Sequence, residues 1–422
     1  MSEQTMSTDT FLRPDHLIRD EVKMYCTTLR KFVNEKVLPH ENDFDDYWDW
    51  TERKDGSFVE DIFKEMWIDH GLQKAQVPPP FGGDGDWSTV ETGAVVLEVA
   101  RGDHGLAETG FISSWAVASA LLPTPNEAMV KKMAEGLCGS EPYVICSAIT
   151  EPHGGGAVED MRLKGTGTKT IAKLDGNEWV VNGHKLWPSG YREAKMFMVV
   201  CRVDGARFPD NIAQIVVPAD APGVSTSKPY EKMGCASDTN GDIWFENVRV
   251  PKEYRLHEGR DEVTSLIAKC TIGRAMATAF SVGIMRRAYE LLKLYVDNRE
   301  IGGVPMKDHG AIAYELGQVA SGILATEMVF WNTLERLDHP EVYGPPWEHK
   351  QLVAASVMDN IAAEFTGKVL NKCIDLMGSY GYSKEGKMEK LLRDAKICGI
   401  VVGGPVLRTI EASRHYFGTV AV

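Results

Sequence analysis

The sequence predicts an α+β chain with helices at both ends and a β-rich middle. Three observations predict it. Apolar residues recur at helical spacing from residue 12 to about 145. From about 145 to 250, short runs rich in β-branched and aromatic residues alternate with Gly, Pro and Asp. From 260 onward, long apolar helical patterns return.

The elements follow in order. Leu17, Val22, Tyr25, Leu29, Phe32, Val33 and Val37 mark one face of a first helix. DGSFVEDIFKEMWIDHG predicts a second, with Ser57 as its N-cap and Gly71 as its stop. Pro78–Pro80 with Gly82, Gly83 and Gly85 predict a loop, and apolar helices are expected over 88–101 and 105–121. GNEWVVNGHKLW, MFMVVCRV, IAQIVVP and DIWFENVRVP read as strands of a small antiparallel barrel or sandwich. Helices are expected over 262–298, 310–337 and 347–376, with a shorter one after 404, and together they suggest a bundle.

Composition narrows the function. The 422 residues carry 46 Lys and Arg against 60 Asp and Glu, a net charge of −14. Such a chain is poorly suited to nucleic acid or an anionic membrane, because phosphate repels it. No apolar run approaches the ~20 residues that span a bilayer. The first residues are acidic and lack the apolar stretch of a secretory signal. Eight cysteines, none in a C-x-x-C pair, predict reduced thiols in a cytoplasm and no zinc site. G-x-G-x-x-G, H-E-x-x-H and G-x-S-x-G are missing, and GTGTKT at 165–170 lacks the G-K-[ST] ending of a phosphate loop. Any chemistry is therefore expected to come from an organic cofactor.

Four segments resemble the acyl-CoA dehydrogenase family of flavoproteins. Ser147-Ala148-Ile149-Thr150-Glu151-Pro152 is similar to its T-E-P strand and turn, and Gly183-His184-Lys185-Leu186-Trp187-Pro188-Ser189-Gly190 to its G-x-K-x-W-I-T/S-N. Phe245-Glu246-Asn247-Val248-Arg249-Val250-Pro251 resembles F-E/D-x-V-x-V-P, and Leu392-Arg393-Asp394-Ala395-Lys396 resembles L-x-R-D-A-K. His70–Pro78 and Asn177–Val180, followed by Lys185–Ser189, also look like the nitroalkane oxidase branch.

The resemblance implies an N-terminal helical domain over 1–144, a central antiparallel β-barrel over 145–257 and a C-terminal four-helix bundle over 258–422. FAD would lie between barrel and bundle. Its isoalloxazine needs a flat aromatic wall and donors at its edge, which Trp187 and Ser189 can supply. Ser147 and Thr150 would join them, Thr150 on the pyrimidine side. Gly156, in Gly154-Gly155-Gly156, would let backbone amides approach the pyrophosphate, although the family often has Ser there. Arg299 would reach that pyrophosphate across a subunit interface, within a homotetramer or a heterotetramer with a paralogue. Two departures accompany it: Gly302 replaces an aromatic, and Gly310 stands where a Gln often touches the cofactor. Arg274 matches a position facing the CoA phosphates. The implied partners are an acyl-CoA thioester and an acceptor such as an electron-transfer flavoprotein.

The implied activity is oxidation of the CH–CH group of an acyl-CoA thioester: a carboxylate takes the α-proton and a hydride leaves Cβ for flavin N5. The family places that carboxylate at one of two positions, which here are Val402 and Gly273. Three explanations stay open. Glu108, on a helix lining the acyl cavity in the family, is the substitute base, its pKa raised by burial, with Asp103 and His104 as weaker candidates. Alternatively the flavin chemistry differs, as in nitroalkane oxidases, desulfinases or monooxygenases. Or the chain is a non-catalytic subunit beside an active paralogue.

Overall fold

The computed structural model describes residues 11–45 and 57–420. The N-terminal helices are α1 (Asp20–Phe32), α2 (Ser57–Lys64), α3 (Thr89–Gly102), α4 (His104–Leu121) and α5 (Glu127–Leu137). Helix α2 begins at Ser57 itself, so the position expected to cap it is its first turn. Local signals set the next two helices. Ser88 and Glu91 form a reciprocal capping box on α3, and Asp103 ends α3 and caps α4 through Leu106 N–H, 3.0 Å away. Almost every residue of α3 is buried, so it is the central rod of the domain.

The middle segment holds β1 (Val144–Ala148), a short helix α6 (Gly155–Glu159), β2 (Ile171–Asp175), β3 (Glu178–Leu186), β4 (Ala194–Val203), β5 (Ile212–Pro218), β6 (Val224–Thr226) and β7 (Asp242–Pro251). They form one seven-stranded sheet in the order β1-β4-β2-β3-β7-β6, with β5 also on β4. The expected all-antiparallel pairing needs correction: β1 and β2 both run parallel to β4. Parallel neighbours need a long crossover, and α6 with the β2–β3 hairpin supplies the one between β1 and β4.

The C-terminal part starts with α7 (Gly259–Asp297), 39 residues long, followed by a small hairpin of β8 (Glu300–Ile301) and β9 (Val304–Pro305). Then come α8 (Gly310–Asp338), α9 (Pro340–Tyr343), α10 (His349–Met377), α11 (Ser379–Tyr382), α12 (Met388–Ala395) and α13 (Gly404–Phe417). Helices α7, α8, α10 and α13 pack as a bundle, and α7 also packs on α3 and α4. All eight cysteines are free thiols. Among the described residues no helix is long and apolar enough to cross a membrane.

One buried ion pair joins two of the recognised segments. Glu151 accepts from Lys185 Nζ at 2.7 Å and from the amides of Lys169 and Thr170, while Lys185 also donates to Ile149 O at 2.8 Å. The pair rivets the turn after β1 to β3, just below Trp187.

Candidate active site

Strand β3 ends at Leu186, whose amide donates to Thr150 O at 3.0 Å. The chain then turns through Trp187 at φ +68, a left-handed conformation rare for a bulky residue. Its amide donates to Gly241 O at 3.0 Å and its carbonyl accepts from Asn240 Nδ2 at 3.0 Å. So held, the indole is 49% exposed, leaning on Tyr230 at 4.5 Å between ring centroids. A strained, exposed tryptophan at a strand end presents a flat aromatic face. Ser147 Oγ on β1 is buried with no hydrogen-bond partner among the described residues, so it has room to accept or donate one more bond.

Ser189 turns inward. Its hydroxyl donates to Glu108 Oε1 at 2.9 Å. The other Glu108 oxygen lies 3.4 Å from His104 Nε2, one turn back on α4. His104 Nδ1 is 3.1 Å from Cys235 Sγ, and its ring lies 4.9 Å from that of Phe280 on α7. Beside this chain sits Asp238, which accepts from Thr109 Oγ1 at 2.8 Å and from Gly190 N at 3.0 Å. Lys232 Nζ bridges Asp238 O and Asn240 Oδ1.

The side chain of Glu108 is 14% exposed, so it is not a solvent-facing charge. The expectation that burial raises its pKa is reversed. Burial does push it up, but the His104 and Ser189 hydrogen bonds and the charges of His104 and Lys232 hold it below the usual carboxylate range. In return, burial pushes His104 down and Glu108 lifts it further, to a net rise. Burial, then the Glu108 charge, push Asp238 up to about 6.

That last shift has a pH consequence. A carboxyl whose folded pKa is raised binds its proton more tightly when folded, so stability falls as pH rises from the unfolded value near 4 towards about 6. Asp238→Asn keeps an oxygen for Thr109 and Gly190 and removes the titration. Urea unfolding at pH 4.5 and 6.5 should show the wild type losing more stability over that interval than the variant; equal losses would contradict the assignment.

Other expected site residues gather at a second place. Gly156 lies within α6, not in a plain loop, and a Cβ there would stand 2.9 Å from Gly403 O. Its missing side chain therefore serves contact between α6 and the 402–404 segment. Val402 sits at φ +49, an outlier for a β-branched residue, and its carbonyl accepts from Arg274 Nε at 3.1 Å. Arg274 is fully buried, donating to Ser356 Oγ at 2.7 Å and paired with Glu411. Gly273 is covered by Trp115: a Cβ there would meet its ring at 2.4 Å. Arg299 stands apart, exposed beyond the end of α7, its guanidinium 5.4 Å from the Tyr295 ring centroid. Gly310 opens α8 with free space around it.

The structure thus joins Thr150, Trp187, Ser189 and Glu108 at one locus, and Gly156, Arg274 and Val402 at another. Lys232 and Asp238 escaped the sequence reading as members of the first, and His104, expected only as a weaker candidate base, sits there as the partner of Glu108. Only the i, i+4 spacing of His104 and Glu108 was a usable signal.

Comparison with known proteins bears on the family and the fold. Profiles of the acyl-CoA dehydrogenase N-terminal, middle and C-terminal domains match residues 19–141, 146–248 and 263–405. A protein of Bacillus subtilis (strain 168), named as a probable acyl-CoA dehydrogenase, is 27% identical over 402 residues, covering 94% of this chain and 97% of its own. A nitroalkane oxidase crystallized with 1-nitrohexane superposes with a TM-score of 0.84 at 20% identity, covering 94% of this chain and 95% of its own. An acyl-CoA dehydrogenase from Bacillus anthracis, complexed with FAD, gives 0.83 at 23% identity, covering 97% and 68%.

Proposed function

This chain belongs to the acyl-CoA dehydrogenase family, and from that premise we propose that it oxidises the CH–CH bond next to the carbonyl of an acyl-CoA thioester. It is an FAD-dependent oxidoreductase. Bound FAD supplies the hydride acceptor. Trp187 would wall the ring, Ser189 would lie at its edge between the ring and Glu108, and Ser147 on β1 and Thr150 in the turn after it would line the site beneath. Gly156 is assigned to the pyrophosphate through its backbone, and Arg299 to that of a neighbouring subunit. Arg274 and Val402 border the thioester. The reading divides the chain at 144/145 and 257/258, places it in the cytoplasm as a homotetramer or a heterotetramer with a paralogue, and passes electrons to an acceptor such as an electron-transfer flavoprotein.

The observation that carries the reading is the pairing of the exposed Trp187 with the carboxylate of Glu108, joined through Ser189. A ligand stacked on Trp187 meets an ionised carboxylate within one residue of its edge. Glu108 is accordingly assigned as the base that takes the α-proton.

A second reading is favoured by Val402, which carries no acid where the family places one. In it the fold runs other flavin chemistry, or binds thioester beside a catalytic paralogue. An anaerobic visible titration with acyl-CoA thioesters separates the two. Bleaching of the flavin band by a thioester supports dehydrogenation. A band that shifts but never bleaches supports the second reading.

Trp187→Ala tests the cofactor wall. Loss of an aromatic stacking face is worth about 0.5–1.5 kcal/mol beyond buried area, so retained FAD after gel filtration should drop by roughly two- to twelvefold. Unchanged flavin content would remove Trp187 from the site.

A further inference from the structure

Lys269 lies on α7, one turn before Gly273, and is 2% exposed. Its ammonium has no hydrogen-bond partner among the described residues. It stands 5.8 Å from the centroid of Trp115, the same ring that covers Gly273. Glu108 and Trp115 are two turns apart on one face of α4, and Phe280 and Gly273 meet His104 and Trp115 from α7. Lys269 thus continues the α4–α7 seam past the position of the family's second base.

The charges around it do not balance. Glu159, Cys270, Cys146 and Lys185 face Lys269. Glu159 makes no ion pair with it; its carboxylate is 3.8 Å from Arg274 Nη2 and 3.9 Å from Cys270 Sγ. Burial pushes the Glu159 carboxyl up, towards its neutral form. Burial likewise pushes both thiols up, keeping them neutral. Arg274 Nη2 is also buried with no hydrogen-bond partner among the described residues, 2.9 Å from where a Gly403 Cβ would stand. Glu411 answers one cation, Arg274, and Lys269 is left over. A buried cation without hydrogen bonds is strongly unfavourable and gives up its proton more easily unless an anion completes it, and burial pushes the Lys269 ammonium down to about 8.

We propose that Lys269 forms a buried oxyanion subsite in the α4–α7 seam that receives a carboxylate or phosphate group of the bound substrate. The carrier of that group rests on the acyl-CoA reading; the subsite itself does not. Two sources share the chemistry: a carboxylate on the acyl chain, and a phosphate of the CoA arm.

The test uses the FAD-loaded full chain and reads binding from the shift of the flavin band under anaerobic conditions. Ligands are hexanoyl-CoA, the CoA monothioester of hexanedioic acid, and S-hexanoyl-pantetheine. A carboxylate ligand predicts that the dioic thioester binds at least about tenfold tighter than hexanoyl-CoA. A phosphate ligand predicts the same margin for hexanoyl-CoA over the pantetheine thioester. In either case Lys269→Met should bring the ratio to about one, and Lys269→Arg should keep it. Wild-type ratios near one in both arms, or ratios unchanged in Lys269→Met, overturn the subsite. If no thioester perturbs the wild-type flavin, the acyl-CoA reading fails separately. The subsite is then judged by thermal unfolding with succinate or pyrophosphate at constant ionic strength. A rise in Tm for the wild type and none for Lys269→Met supports it, and no anion-dependent difference overturns it.

Discussion

Glu108→Gln should lower turnover of the best thioester by about 10²- to 10⁴-fold, the range that a positioned proton acceptor contributes, with flavin content unchanged. The amide retains an oxygen for Ser189 and nearly the volume of the acid, so what is lost is the charge. The charge is what the surroundings maintain: His104, Ser189 and Lys232 together outweigh burial and keep the carboxyl ionised. That arrangement has a cost for basicity, because an imidazolium beside Glu108 weakens its pull on a proton. As pH rises through the raised pKa of His104, the imidazole becomes neutral and Glu108 becomes the stronger base. Flavin reduction in single turnover should therefore accelerate with pH through that titration in the wild type. His104→Asn should flatten the rise. Full activity of Glu108→Gln would remove it as the base and move the search towards carboxylates near the 402–404 segment.

How much of this could be read beforehand depends on sequence separation. The starts of α3 and α4 were readable to within a residue, because Ser88, Glu91 and Asp103 act on amides three positions away. Strands β3 and β7 were readable because their runs of β-branched and aromatic residues are a local signal. The parallel pairing of β1 with β4 was not, since Val144 meets Ala194 across 50 residues of intervening chain. The site shows the same division. The roles expected of Trp187 and Ser189 followed from a local motif, and the structure puts both beside Glu108. The ionisation of Glu108 was misjudged because His104, one turn back on α4, was read as a rival base and not as its partner, and because Ser189 and Lys232 act on it from distant loops. Arg274 was expected to face phosphates or water; Glu411, 137 positions further on, closes one side of it instead. Composition gave no hint that Lys269 would be buried, because its neighbours on α7 form no continuous apolar face around it.

Lys390→Met should be the most destabilising single change outside the site, at about 3–5 kcal/mol, the cost of removing one partner from a buried ion pair. Lys390 is buried on α12 and bonds two carboxylates, Asp394 one turn on and Asp103 at 3.1 Å. Asp394 also accepts from Cys235 N at 2.6 Å, and Asp103 accepts from Ser237 Oγ while capping α4. One ammonium thus ties the L-x-R-D-A-K segment, the 235–238 loop and the start of the helix that carries His104 and Glu108. Without it two buried carboxylates face each other uncompensated. The pH dependence follows from the sign of the shift. Lys390 holds Asp103 below its ordinary range despite burial, so this contribution is present above about pH 4 and fades as pH falls through the lowered folded value. In the variant the same carboxyls should instead take up protons more readily than in the unfolded chain. The gap between wild type and Lys390→Met, measured from urea midpoints, should therefore be wider at pH 7 than at pH 5. Asp103→Asn in the Lys390→Met background should recover part of the loss, because it removes one of the opposed charges. A gap independent of pH, with no recovery in the double variant, would mean that Lys390 acts through its packing alone. Its link to the active site would then have to be sought in the geometry of α12.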